Sequence, residues 1–103
     1  MSDTGERTYS NIVITWEAST SNTTLKVTVT AGGALIGLMN FTPDTLTHIL
    51  KYNNQEWQAN GTFTVQYNPK AMSGSLSCED FIWDLQSSSG NISGLIGIWD
   101  INN

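Results

Sequence analysis

A chain of 103 residues and 11.3 kDa is one domain's worth of polypeptide, and no shift in composition divides it. Residues 1–103 are therefore read as a single domain, with residues 1–8 expected to be disordered. Nine acidic residues against four basic ones give a net charge of -5, and the four cations, Arg7, Lys26, Lys51 and Lys70, stand apart from one another. That scatter excludes the dense basic face a nucleic-acid partner requires.

Charged residues make up only 13% of the chain, against about 25% in an ordinary soluble protein. Polarity is carried instead by ten Asn, eleven Ser and thirteen Thr. These side chains favour turns and strands, because Ser and Asn compete with the helical backbone and Thr loses rotamer freedom there. The longest apolar stretch, Ala31 to Met39, contains three glycines and falls short of the roughly 20 residues of a spanning helix. Cys78 is the lone cysteine, so no intramolecular disulfide forms. The amino-terminal residues lack the basic start and apolar core of a secretory signal. A cytoplasmic protein is expected, with any release by a non-classical route.

Along the chain, Ile12, Ile14 and Trp16 alternate with Val13, Thr15 and Glu17, the two-residue rhythm of a strand with one wetter face. Leu25, Val27 and Val29 alternate in the same way with Lys26, Thr28 and Thr30. A polar turn beginning at Ala18 joins the two into an antiparallel pair. Gly32-Gly33 predicts a second tight hairpin into Leu35–Phe41, a run apolar on both faces. A short helix is then predicted over about 43–52. Thr42 is placed to cap it, Pro43 suits its first position, and Asp44 favours its positive end. Leu46, Ile49 and Leu50 would share its buried face, with Phe41 and Leu46 as a hydrophobic staple.

Asn60-Gly61 reads as a turn, followed by a strand in which Phe63, Val65 and Tyr67 alternate with Thr62, Thr64 and Gln66 and which ends at Asn68-Pro69. The stretch Met72–Ser77 is ambiguous. Phe81, Trp83 and Leu85 mark another strand, Ser87–Asn91 a turn, and Leu95–Ile101 a last strand apolar on nearly both faces. The fold class is therefore all-β and mainly antiparallel, a six- to seven-stranded sandwich or barrel with one short helix. No internal repeat is read.

The segment Tyr52–Gly61 concentrates amides, a carboxylate and two aromatics. A pyranose stacks its apolar face on an aromatic ring and presents hydroxyls to paired donors and acceptors. Asn53, Asn54, Glu56 and Trp57 are accordingly the candidate ligand-binding residues, Trp57 as an exposed stacking plate. Turn chemistry competes for the same residues, with Asn53-Asn54 ending the helix. Trp16 and Trp83 fall on apolar strand faces and read as core, while Trp99 fits either core or subunit interface.

Catalysis finds little support. His48 is read as a surface residue of the helix, and Cys78 beside Glu79 and Asp80 is a poor thiolate. Asp80 and Asp84 share a strand face but stand about 13 Å apart, too far to hold one ion. Neither a metal nor another cofactor is assigned. Four Asn-x-Ser/Thr triplets, at Asn22, Asn40, Asn60 and Asn91, are read as composition.

The two-sided runs holding Ile36 and Leu38, and Ile96 and Ile98, need covering by the fold or by a second chain, so a homo-oligomer is expected. A short acidic β-domain rich in Asn, Thr, Ser and Trp, without export signal or disulfide, is similar to the small cytosolic lectins of fungi and bacteria. That likeness is compositional and carries over no residue. The functional expectation is a non-catalytic, lectin-like protein binding a glycan or small saccharide. The alternative is an acidic protein-interaction module, such as an inhibitor, an immunity-type partner or an assembly subunit.

Overall fold

The computed structural model describes residues 2–19, 24–68, 73–85 and 88–101. It contains eight strands: β1 (Ser2–Tyr9), β2 (Ile12–Ser19), β3 (Thr24–Ala31), β4 (Ala34–Phe41), β5 (Thr47–Asn54), β6 (Trp57–Asn68), β7 (Ser73–Leu85) and β8 (Ser88–Asp100). They form two four-stranded antiparallel sheets, ordered β1-β2-β3-β4 and β5-β6-β7-β8, which pack face to face as a sandwich. The all-β expectation holds, with eight strands in place of six or seven.

The predicted helix is replaced by a turn and a strand. Thr42 does use its side chain as a cap: its Oγ1 accepts the backbone N–H of Asp44 at 3.3 Å and of Thr45 at 3.1 Å. The motif closes a turn, with Thr42 and Thr45 exchanging backbone hydrogen bonds, and the chain then runs extended. Helix caps and Thr-centred turns share this chemistry. What decides between them is the eight-residue ladder with β6, which a helix here would forfeit. Leu50 consequently turns inward while Ile49 is 64% exposed.

Three smaller corrections have related causes. The amino-terminal residues expected to be disordered form edge strand β1, whose charged residues suit an edge and whose inward Gly5 leaves no apolar signal. Asn60-Gly61 lies within β6, at a register shift opposite β7. Ser88–Asn91, expected in a turn, belongs to β8, and Ser87 lies outside the described residues. The ambiguous 72–77 segment resolves into β7 from Ser73 onward, while the expected stop at Pro69 lies outside the described residues. Gly32 and Gly33, both at positive φ, make the predicted two-residue hairpin between Ala31 and Ala34.

The inward faces supply a core with no buried charged or polar residue among those described. Phe63 and Phe81 meet edge-on at 5.2 Å, and each fully buried aromatic of this size contributes about 1.5–3 kcal/mol. Three tryptophans are seated by glycine. Gly5 faces Trp16, Gly74 faces Trp99 and Gly90 faces Trp83 across their ladders, and a Cβ at any of the three glycines would collide with the facing indole. Trp16 also lies against Gly97, so its ring bridges β1 and β8. Trp83 donates its N–H to Ser88 Oγ at 3.2 Å. The buried indole nitrogens of Trp16 and Trp99 have no acceptor among the described residues, so packing has to offset that polar cost.

An internal repeat, unread in the sequence, emerges from the registers. Leu35-Ile36-Gly37-Leu38-Met39-Asn40-Phe41 on β4 and Leu95-Ile96-Gly97-Ile98-Trp99-Asp100-Ile101 at β8 share a spelling and also a β-bulge. In β4 the ladder steps from Val29–Gly37 to Thr30–Leu35, and in β8 from Leu76–Gly97 to Ser77–Leu95. Each bulge sends its extra residue, Ile36 or Ile96, into the core and reverses the alternation. That reversal makes both runs look apolar on two faces. The remaining outward aliphatics stay exposed, Leu38 at 59% and Ile98 at 71%.

Where the sheets meet, side chains replace the missing ladder. His48 Nε2 donates to the Asn40 carbonyl at 2.8 Å between β5 and β4. Arg7 donates to the Ile96 carbonyl at 3.3 Å, and the Asp100 N–H donates to Asp3 Oδ2 at 2.8 Å, between β1 and β8. Capping edge carbonyls and amides in this way blunts their tendency to recruit another strand.

Candidate functional site

The four residues singled out for sugar binding lie at the β5–β6 hairpin, around its Gln55-Glu56 turn. Asn54 directly faces Trp57, and Tyr52 follows on the same inward side of the sheet. Asn53 pairs with Gln58 and points to the opposite side, while Glu56 is exposed in the turn. The structure thus brings together Tyr52, Asn54 and Trp57 and separates Asn53 from them. Asn54 Nδ2 donates to the Tyr52 hydroxyl at 3.4 Å. Trp57 is half-buried and rests on the core, so its indole offers a partial rather than a bare platform.

The apolar cleft beneath the Thr42–Leu46 turn, lined by Phe41, Tyr67, Trp99 and Ile101 among others, has free space of about 10 Å³, room for about one water. A wider trough, of about 760 Å³, lies on the outer face of β6, β7 and β8. Two cross-strand rows build it: Gln66, Ser75 and Ile98 in one, Asn68, Ser73 and Asp100 in the other. The bulge at Ile96 lies two residues before Ile98, and such a bulge bends its strand and raises the local twist. Asp3 closes one rim from β1 through its bond to Asp100.

Chemically the trough combines two amides, two hydroxyls and two carboxylates with one exposed aliphatic side chain and two aromatic residues, Tyr67 and Trp99. Amides and hydroxyls both donate and accept, so the surface suits a ligand with many hydroxyls in a fixed arrangement. Ile98 supplies the apolar contact that a sugar ring's C–H face can cover. Only the alternation of Thr64, Gln66 and Asn68 on the wet side of β6 could have pointed here. The decisive partners come from β7 and β8, which no local spelling joins to it.

No family model, no curated protein and no solved structure matches this chain.

The other candidate groups take positions away from this trough. Cys78 and His48 both face inward across Phe63, so two strand spacings, about 10 Å, separate them. The expected surface histidine is a half-buried seam residue, edge-on to Phe41 at 4.8 Å. Asp80 sits at positive φ within a register shift of β7, and its N–H donates to Ser93 Oγ at 2.9 Å. No group of three His, Cys, Asp or Glu side chains gathers among the described residues.

Burial pushes the Cys78 thiol above its ordinary value, only partly offset by a hydrogen bond from the Gly94 backbone. The folded state therefore disfavours the thiolate. This contribution to stability is present below the unfolded thiol pKa of about 8.5 and is lost as pH rises through the higher folded value. Between pH 7 and 10 the wild-type urea midpoint is expected to fall more than that of Cys78→Val. Equal falls would show that the thiol carries no such linkage. An alkylating reagent at pH 8 should label Cys78 only at the rate of unfolding.

Proposed function

We propose that the chain is a non-catalytic, lectin-like protein that binds saccharides in the trough on β6–β8. The observation that carries the reading is the two-row lining of amides, hydroxyls and carboxylates in that trough beside exposed Ile98. A shallow surface of this kind captures weakly, which fits a binding module better than a site that must shield a reaction from water.

Intrinsic tryptophan fluorescence and calorimetry with glucose, galactose, mannose and N-acetylglucosamine test the proposal. At least one sugar should bind, and Ser75→Lys, which places a long cation in the middle of the trough, should weaken it by about tenfold or more. Trp57→Ala should leave that affinity within about twofold. The opposite pattern, loss with Trp57→Ala and none with Ser75→Lys, moves the site to the hairpin and the Tyr52-Asn54-Trp57 face. Silence across the panel overturns the saccharide reading. It would favour the acidic protein-interaction module, for which exposed Leu38 and Ile49 on adjacent strands β4 and β5 offer an apolar surface.

A further inference from the structure

The repeat maps four positions of the trough onto the first half of the chain, and a second concavity lies over those four, displaced toward β1 and without the β4 counterparts of Ile98 and Asp100. Aligning the bulges makes β2, β3 and β4 the counterparts of β6, β7 and β8. Gly37 then matches Gly97, Val29 matches Leu76, and Ile14 matches Val65. On the outer face, Thr15 and Thr28 occupy the places of Gln66 and Ser75, and Glu17 and Lys26 those of Asn68 and Ser73. A trough of about 460 Å³ lies over these four first-half positions. It is completed by Thr4 and Glu6 of β1, where the other is completed by Ile98 and Asp100 of β8.

The correspondence bears on function because the outer face is where a repeat is freest to change. Core positions must retain size and shape, whereas solvent-facing strand positions carry little packing constraint. Both halves nonetheless keep a concavity over the same four positions and small hydroxyl side chains within it. The linings differ in charge: the first-half trough has Lys26 facing Glu17, whereas the second has Asn68 facing Ser73 and Asp100. Two sites of one class with unequal affinity follow from that difference.

We propose that each chain carries two saccharide sites, one on the outer face of each sheet, with the Thr4-Thr15-Thr28 hydroxyls and the Glu17–Lys26 pair forming the second. This inference rests on the saccharide reading of the β6–β8 trough. Two weak sites on one rigid body would let a single chain bridge two sugars on a surface, gaining from effective concentration what each shallow site lacks.

The test counts sites per chain by calorimetry on the full-length protein, using whichever of glucose, galactose, mannose or N-acetylglucosamine binds. Thr28→Lys is the counterpart of Ser75→Lys in the first half, and both alter outer-face side chains only. The wild type should titrate as two sites of unequal affinity, each single variant as one, and the double variant should bind about tenfold or more weakly overall. Thermal unfolding of each variant checks that loss of a site is not loss of fold. A wild type with one site, unaffected by Thr28→Lys but lost with Ser75→Lys, overturns the two-site inference and leaves the β6–β8 reading standing. Absence of binding to all four sugars overturns both. Agarose beads coated with the same sugar give an independent readout: the wild type should clump them, and either single variant should not.

Discussion

Gly97→Ala is expected to lower stability by about 3 kcal/mol, at the upper end of ordinary overpacking costs. The new methyl would run into the Trp16 ring, which is already flush against Gly5 on β1. That ring has nowhere to retreat, since Trp16 is 7% exposed and sits where β1 of one sheet meets β8 of the other. Gly5→Ala should act in the same direction. In a chain of this size such a loss lowers Tm by about 15 °C. The diagnostic measurement is a double-mutant cycle. Trp16→Leu alone should destabilise by removing buried area, yet in the Gly97→Ala background it should cost at least 1 kcal/mol less, because the obstacle and the methyl compete for one space. Strict additivity would mean that Trp16 does not clamp the two sheets.

Much of this core was legible in the sequence, and the reason is local. Ile12, Ile14 and Trp16, Leu25, Val27 and Val29, and Phe63 and Val65 all alternate without interruption, and every one of them is buried. Alternation failed wherever a bulge shifted its phase. Ile36 and Ile96 are the inserted residues, and they turned two ordinary half-buried strands into apparent two-sided runs. It failed also where glycine stood for an inward side chain, as at Gly5 in β1. The helix prediction failed for another reason. Thr42-Pro43-Asp44 caps a turn as readily as a helix, and a ladder formed with a strand ten residues further on settled the choice.

The candidate site was less legible than the core. Sequence proximity drew Asn53, Asn54, Glu56 and Trp57 together, but a strand sends neighbours to opposite faces, so proximity along β5 separates Asn53 from Asn54. A site on a sheet face is assembled from residues two apart on several strands. Gln66, Ser75 and Ile98 lie far apart in the chain and become neighbours only through the registers of β6, β7 and β8.

The repeat makes a second strong prediction about the core beneath the trough. The inward row Trp16, Val27 and Met39 in the first half corresponds to Tyr67, Gly74 and Trp99 in the second. Mid-sized residues at the second and third places have been exchanged for the smallest and the largest. Tyr67 and Trp99 stack at 5.4 Å with their planes 22° apart, a contact that Gly74 permits by leaving space under the indole. Gly74→Ala alone is expected to cost about 3–4 kcal/mol, because its Cβ would meet both the Trp99 ring and the Gln66 carbonyl. Trp99→Met alone should cost about 2–3 kcal/mol in lost buried area. Together they should cost about 1–2 kcal/mol less than their sum, since the pair moves the row toward the arrangement the first half already uses. Recovery stops short of complete because the Gln66 carbonyl still meets the new methyl. Urea unfolding of the four proteins measures the coupling. A value near zero would mean that the two halves share a spelling without sharing a packing plan, and the matching of the four outer-face positions would lose its structural basis.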